Sequence, residues 1–146
     1  MIKPATALLC MDYRILEAVR TFCLEHFEVL ADEVTEPGIV RILAGKPPMF
    51  PNQPLNLGPW IQQKAKVSVQ KHASTHAIVV GHMHCAGNTV PDHEHHEDIR
   101  VAVKAVRSWG LFEAVVGLWA YEVVGGKWAL SLVTEGLPEM RMARAG

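Results

Sequence analysis

The sequence lacks a charge excess of either sign, and it lacks any long hydrophobic run. It has 14 basic and 15 acidic residues, which gives a formal net charge of -1 at pH 7. Without a basic surface, we expect no binding to nucleic acid or to an anionic membrane. No apolar run approaches the length of roughly 20 residues that a membrane-spanning helix requires. The composition therefore favours neither a nucleic-acid-binding protein nor a membrane protein.

Cysteine is also scarce in this chain. Its three cysteines are an odd number, which makes a poor disulfide framework but is compatible with metal binding in a reducing compartment. We therefore expect a cytoplasmic location. Cys23 lies on the apolar face of a predicted helix, so we interpret it as a core residue. Cys10 and Cys85 each follow a predicted strand and remain candidates for a site.

Apolar residues, in contrast, are plentiful. They make up 49% of the 146 residues, which is enough to bury one substantial core in a chain of common domain size. We see no internal repeat and no low-complexity tract. The sequence therefore predicts a single domain over residues 1–146.

Hydrophobic periodicity predicts strands that alternate with helices. Residues 5–11 are almost continuously apolar, as in a short strand that is buried on both faces. Apolar residues then recur at helical spacing from Ile15 to Phe27, and a second strand is predicted within 27–34. The proline-rich stretch 46–59 is predicted to be a loop. The later elements are a helix over 60–73, a strand over 76–82, a helix that ends at Gly110, and strands over 112–124 and 127–133.

The order β-α-β-loop-α-β-α-β-β predicts an α/β fold. Strands separated by helices pair in parallel, so we expect a sheet of about four parallel strands with helices on both faces. The Gly125-Gly126 pair predicts a tight turn that adds a closing strand antiparallel. Thr89 or Asp92 is the expected cap of the last helix, with Pro91 in its first turn.

Candidate site residues follow two of the predicted strands. In the segment "CMDYR", an extended chain would direct Cys10, Asp12 and Arg14 to one side. His82 and Cys85 follow another strand, and binding sites in such sheets form beyond the carboxyl ends of strands. If the two strands are neighbours, the residues converge. Two thiolates and one imidazole suit tetrahedral zinc, with a fourth position for water or an acid side chain.

Each of these residues also has an ordinary interpretation when it is taken alone. Cys10 could be a small buried residue and His82 a hydrogen-bonded histidine. Asp12 and Arg14 could be an ion pair that caps the following helix. Their combination at two strand ends favours a functional site.

The sequence resembles the β-class carbonic anhydrases. Their signatures Cys-x-Asp-x-Arg and Gly-His-x-x-Cys match "CMDYR" at 10–14 and "GHMHC" at 81–85, and "VVGLWAYEVVGGKWALSL" at 115–132 is similar to the family's closing strands. The resemblance covers nearly the whole chain in element order. It implies a β-carbonic-anhydrase-like zinc domain in which Cys10, His82 and Cys85 bind zinc and Asp12 with Arg14 forms the catalytic dyad.

The resemblance also implies a reaction, the reversible hydration of carbon dioxide to bicarbonate by zinc-bound hydroxide. Asp12, kept ionised by Arg14, would accept a hydrogen bond from the hydroxide and orient it. In a closed state of the family, the dyad aspartate binds zinc instead. Four histidines are candidate proton relays: His84, His93, His95 and His96. His93 could alternatively bind a second metal with Glu97, although an exposed helix start is the commoner situation.

Three departures from the better-known enzymes leave other functions open. The first strand begins within ten residues, so we expect no N-terminal helical arm. The segment "EPGIVRILAG" at 36–45 replaces an Arg-Asn-Ala-Gly-Asn-like segment, and Ala86-Gly87-Asn88 follows the second motif. The alternatives are a related hydrolase of carbonyl sulfide or carbon disulfide, and a non-catalytic zinc-binding structural or regulatory protein.

A second subunit is also implied by the resemblance, because the family builds its sites at dimer interfaces. The four tryptophans and the apolar final strands are compatible with a surface that a partner covers. We therefore expect a homodimer or a dimer of dimers that acts on a small molecule.

Overall fold

A computed structural model describes residues 1–134 of the chain. These residues form nine elements, which follow the predicted order with one addition. Their bounds are β1 Lys3–Leu9, α1 Tyr13–Phe27, β2 Val29–Thr35, α2 Ile39–Leu43, α3 Leu57–His72, β3 His76–His82, α4 Asp92–Ser108, β4 Ala114–Val123 and β5 Lys127–Leu132. Among these residues, no helix is both long and apolar enough to cross a bilayer.

The strands form one sheet in the order β2-β1-β3-β4-β5. Its first four strands are parallel, and β5 pairs antiparallel with β4. Gly125 and Gly126 connect this last pair with positive φ angles of 88° and 73°, a backbone conformation that glycine adopts without steric cost. The predicted fold class, a mostly parallel α/β sheet with an antiparallel closing strand, is confirmed.

Helices cover both faces of the sheet, as predicted. On one face, α1 packs Ile15, Val19 and Cys23 against alternate residues of the central strands. On the other face, α2, α3 and α4 cover the intervening residues. This alternation follows from the two-residue period of a strand. Cys23 is 3% exposed, which confirms its interpretation as a core residue.

The structure corrects three local predictions. Residues 39–43 form the short helix α2, which five residues are too few to reveal by periodicity. Helix α3 begins at Leu57, within the predicted loop. Helix α4 begins after Pro91, and no side chain within residues 1–134 caps it, so neither Thr89 nor Asp92 has the predicted capping role.

A fourth correction affects the site. Strand β1 ends at Leu9 and α1 begins at Tyr13, so the segment from Cys10 to Arg14 is not one extended strand. Asp12 is the N-cap of α1, with φ -60° and ψ 116°, and Arg14 lies in the first helical turn. The prediction that Cys10, Asp12 and Arg14 alternate along one extended strand is therefore wrong.

Candidate metal centre

The candidate site lies where the order in which strands are added to the sheet reverses. From β1 the chain passes through α1 to β2 on one side, and it then returns to β3 on the other side of β1. The carboxyl ends of β1 and β3 therefore bound a crevice, the usual binding position in such sheets. Cys10 directly follows β1, and His82 is the last residue of β3.

The structure brings Cys10, His82 and Cys85 together. Their ligand atoms all lie within 4.8 Å of one another, and the three residues are 7%, 2% and 6% exposed. No other group of this kind occurs among the described residues. All three cysteines of residues 1–134 are free thiols, so no disulfide competes for Cys10 or Cys85.

The His82 ring is oriented as a metal-binding imidazole. Its Nδ1 lies 2.7 Å from the carbonyl oxygen of Met83, and a carbonyl can only accept, so Nδ1 carries the hydrogen. Nε2 then has a free lone pair, and it is buried without a hydrogen-bond partner among residues 1–134. A buried nitrogen beside two thiols fits a zinc ion, and a carbonyl on the other ring nitrogen is the usual second interaction of a zinc-binding histidine.

The pKa values of the two neighbouring thiols are shifted in opposite directions. The Cys85 thiol donates to Cys10 Sγ, which lowers the pKa of Cys10 against the opposing effect of burial, and His82 lowers it further. The same contact, together with burial, raises the pKa of Cys85. One thiolate is therefore stabilised in the free protein. Binding a cation would make the second thiolate favourable too, because a metal offsets the repulsion between two neighbouring anions.

Backbone N–H groups from two loops support these sulfur atoms. The backbone N–H of Gly38 lowers the pKa of Cys10, and those of Gly87 and Asn88 act on the pKa of Cys85 in the same direction, against the effect of burial. The two loops touch, because a Cβ on Gly87 would lie 2.5 Å from the backbone nitrogen of Gly38. Gly38 also has a φ of +62°. Glycine at both positions thus permits the close approach that directs N–H groups at both sulfurs.

Asp12 and Arg14 lie beside the cluster as a close ion pair. Arg14 Nε donates to Asp12 Oδ1 at 3.0 Å, and Nη2 donates to Oδ2 at 2.6 Å. Nη2 also donates to the carbonyl oxygen of His84 at 3.2 Å, and the guanidinium carbon lies 5.4 Å from the centroid of the Trp128 ring. The guanidinium hydrogen bonds hold the pKa of Asp12 below its ordinary value.

Asp12 caps helix α1 and also lies next to His82. Its Oδ1 accepts a hydrogen bond from the backbone nitrogen of Arg14 at 3.0 Å, which caps α1. Its Oδ2 lies 4.0 Å from Nε2 of His82. The ordinary interpretation, an ion pair at a helix start, is therefore correct in geometry, and the pair also lies close to the cluster of Cys10, His82 and Cys85.

Two spaces adjoin the cluster. A cavity of about 10 Å³ is lined by the three cluster residues together with Ile39, Val40 and Val80. An open groove of about 500 Å³ runs outside it. Cys85, Asn88 and His95 line both spaces, so these residues form the boundary between the cluster and solvent.

The four histidines proposed as relays have different environments. His84 is exposed and lines the groove. His95 is buried and lines both spaces, and burial lowers its pKa. The His96 ring centroid lies 4.9 Å from that of Trp119. His93 is exposed and lines neither space, so His84 and His95 are the better placed.

Sequence reasoning missed several residues of the site. In the sequence, Gly38 within "EPGIVRILAG" and the pair Gly87-Asn88 stand out only as departures from the family pattern. Their contacts join loops that are about 50 residues apart in the chain. A single sequence holds no local pattern that predicts such contacts.

Comparisons with known proteins identify the family of this chain. Residues 2–134 match the model of a family described as "Putative carbonic anhydrase". No curated protein matches the chain. Among solved structures, the chain is similar to the β-carbonic anhydrase CafA of the fungal pathogen Aspergillus fumigatus, with 15% identity over 92% of this chain and 78% of the other, and a TM-score of 0.40. That score is too low for the likeness to bear on the reaction.

Proposed function

Because the chain belongs to the family described as "Putative carbonic anhydrase", we propose that it is a zinc-dependent lyase that reversibly hydrates carbon dioxide to bicarbonate. The observation that carries this proposal is the buried Cys10, His82 and Cys85 cluster, whose ligand atoms lie within 4.8 Å of one another. The Asp12 and Arg14 pair beside the cluster supports catalysis, because a structural metal site needs no restrained acid at its edge.

Cys10, His82 and Cys85 would hold the zinc ion. The free lone pair of His82 Nε2 and the two sulfur atoms match the nitrogen and sulfur donors that zinc prefers. Three protein ligands leave one position open, as in catalytic rather than structural zinc sites. When bound, the ion would act as a Lewis acid and lower the pKa of a water molecule to about 7.

Asp12 would orient the attacking water. A carboxylate can only accept hydrogen bonds when it is ionised, and Arg14 keeps it ionised by lowering its pKa. The two-pronged contact with Arg14 also restrains the carboxylate at the edge of the cluster. Asp12 would therefore accept a hydrogen bond from the water and fix the direction of the lone pair on the water oxygen.

Apolar residues next to the cluster support a small uncharged substrate. Ile39, Val40 and Val80 offer no hydrogen bonds, and carbon dioxide donates none. Carbonyl sulfide and carbon disulfide share these properties, so they are the alternative substrates. The exposed imidazole of His84 in the groove would pass the released proton to solvent.

The experiment that tests the proposal is stopped-flow hydration of carbon dioxide by protein of measured zinc content. Its matched variants are Cys85→Ala and Cys23→Ala, since both remove one buried thiol but only Cys85 belongs to the cluster. We expect Cys85→Ala to lose zinc and activity together and Cys23→Ala to keep both. A fully zinc-loaded wild type without hydration would favour the sulfur-containing substrates, or a non-catalytic zinc protein if these also fail.

We also propose a homodimer, or a dimer of dimers, in the cytoplasm. Large apolar side chains flank the site at the protein surface: Met11 and Tyr13 are 61% and 83% exposed. A partner that covers them would also enclose the crevice. The neighbouring Cys10 and Cys85 thiols support a reducing compartment. A disulfide between them would leave neither sulfur free to bind a metal. Sedimentation at the mass of one chain would contradict the dimer.

A further inference from the structure

A buried polar network joins the loop after Cys85 to helix α4 and to the segment that follows α2. Asn88 Nδ2 donates to Asp98 Oδ2 at 3.0 Å, and Lys46 Nζ lies 2.7 Å from Asp98 Oδ1. Asn88 and Asp98 are each 2% exposed. An ion pair with a buried member rarely adds stability over a well-packed apolar contact. The network therefore calls for an explanation other than stability.

Asn88 closes the turn that surrounds the sulfur atom of Cys85. Its backbone N–H donates to the carbonyl oxygen of Cys85 at 3.2 Å, so residues 85–88 form a tight turn. Within this turn, the backbone N–H groups of Gly87 and Asn88 lower the pKa of Cys85 against the effect of burial. The position of Asn88 therefore determines how closely this turn surrounds the sulfur.

The proline-rich segment 46–56, which precedes α3, contacts the loops on both sides of the cluster. Gln53 Nε2 donates to the carbonyl oxygen of Pro37 at 3.2 Å. The backbone N–H of Thr89 donates to Met49 Sδ at 3.4 Å. Pro37 and Thr89 each adjoin one of the two loops that support the sulfur atoms. The segment therefore holds both loops from outside, and the salt bridge of Lys46 is its most buried contact.

We propose that Asn88, Asp98 and Lys46 are positioning residues of the metal centre, which hold the 85–88 turn against the cluster and slow the release of bound zinc. The inference rests on the zinc binding of the proposed function and deepens it. Asn88 lines the cavity beside the cluster, whereas neither Asp98 nor Lys46 does so. These two residues therefore act on the metal centre through Asn88.

The experiment measures how fast the zinc-loaded protein transfers its metal to an excess of a chromogenic chelator. We expect Asn88→Ala to release zinc roughly tenfold faster than wild type, since outer partners of metal ligands are worth 10–100-fold in affinity. Ser68→Ala is the matched control. Ser68 is 3% exposed and also donates to an aspartate, Asp32, at 2.7 Å, but it lies on α3 and does not line the cavity. This control should release zinc at the wild-type rate.

Variants at Asp98 test whether this residue acts through Asn88. Asp98→Ala removes the acceptor of the Asn88 amide, so it should also speed zinc release roughly tenfold. The double variant with Asn88→Ala should release zinc no faster than either single variant, because both changes break one contact. Asp98→Asn keeps an acceptor oxygen for Asn88, and its release rate should stay within about twofold of wild type.

A second readout separates positioning from a merely structural role. A structural role would lower the free energy of unfolding of the metal-free protein and leave the cobalt–thiolate charge-transfer band of the cobalt(II)-loaded protein unchanged. We expect this band to weaken in Asn88→Ala and to persist in Ser68→Ala. If Asn88→Ala does not fold, Lys46→Gln decides the question. The Lys46 side chain is 34% exposed, so its replacement is milder, and we expect roughly threefold faster release.

The outcomes separate this inference from the proposed reaction. Stopped-flow hydration by the zinc-loaded wild type judges the reaction alone. Variants that all release zinc at the wild-type rate would overturn the positioning role and leave an active enzyme standing. An inactive wild type whose Asn88→Ala variant releases zinc faster would refute the reaction and support the positioning role. A wild type that binds no zinc would overturn both.

Discussion

The two parts of the candidate site are built in different ways. The cluster of Cys10, His82 and Cys85 is buried at the ends of two strands, and the side chain of His82 is 1% exposed. The pair of Asp12 and Arg14 lies at the start of α1, with side-chain exposures of 15% and 36%. Long-range sheet pairing positions the cluster, whereas a helix cap and neighbouring residues position the pair. We therefore expect the cluster to determine the affinity for zinc and the pair to determine the rate of hydration.

The substitution with the largest expected effect is His82→Gln. It removes the buried Nε2 lone pair, and we expect zinc affinity to fall by more than about a hundredfold, since even outer partners of a ligand are worth 10–100-fold. Chelator competition measures this affinity. His72→Gln is the matched control, because His72 is an exposed residue of α3 that pairs with Asp32. Equal zinc affinity in both variants would show that the cluster is not the metal site.

Asp12→Asn should separate the two parts of the site. Asparagine is as good an N-cap as aspartate, so α1 should stay folded and zinc should stay bound. The loss of the anionic acceptor should lower kcat/KM for hydration by about 10²–10⁴-fold, the usual contribution of a positioned acid or base. Asp32→Asn, a change on β2 away from the crevice, should keep the rate. Full activity in Asp12→Asn would remove the pair from the mechanism.

Arg14→Lys should have a smaller effect on the rate. Lysine keeps the charge but cannot make the two-pronged contact with Asp12, so the carboxylate is less well restrained. We expect hydration to slow by roughly tenfold with zinc content unchanged. Arg20→Lys breaks a similar contact with Glu33 outside the site, and it should not slow the reaction. Loss of zinc in Arg14→Lys would contradict the division between binding and rate.

The smallest expected effect concerns acid stability. The folded pKa of Asp12 is lowered, so its charge stabilises the fold above the unfolded pKa of about 3.9. That contribution is lost as the pH falls through the lower folded value. Because the pair is partly exposed, we expect less than about 1 kcal/mol.

Urea unfolding of the metal-free protein measures this effect. The difference in free energy of unfolding between wild type and Asp12→Asn should be present at pH 6 and should shrink as the pH falls below about 4. A difference that stays constant over this range would mean that the charge of Asp12 does not stabilise the fold.

Much of the fold and part of the site could be predicted from the sequence. Strands β1 and β3 are strongly apolar and separated by helices, so a parallel sheet with sites at its carboxyl ends followed from general rules. The meeting of Cys10 with His82 depended on β1 and β3 being neighbours, which the structure shows. The geometry between Cys10 and Arg14 did not follow, because a cap at Asp12 turns the chain into a helix at once. The roles of Gly38 and Gly87 escaped prediction for another reason, since only tertiary packing brings their two loops into contact.

The central claim is that the cluster binds a zinc ion on which hydration depends. Its most direct test measures zinc content and carbon dioxide hydration on one sample, before chelation, after chelation and during zinc titration. We expect the rate to disappear with the metal and to return in proportion to zinc, with saturation at one ion per chain. Full zinc occupancy without hydration, or hydration that persists after the zinc is removed, would contradict the claim.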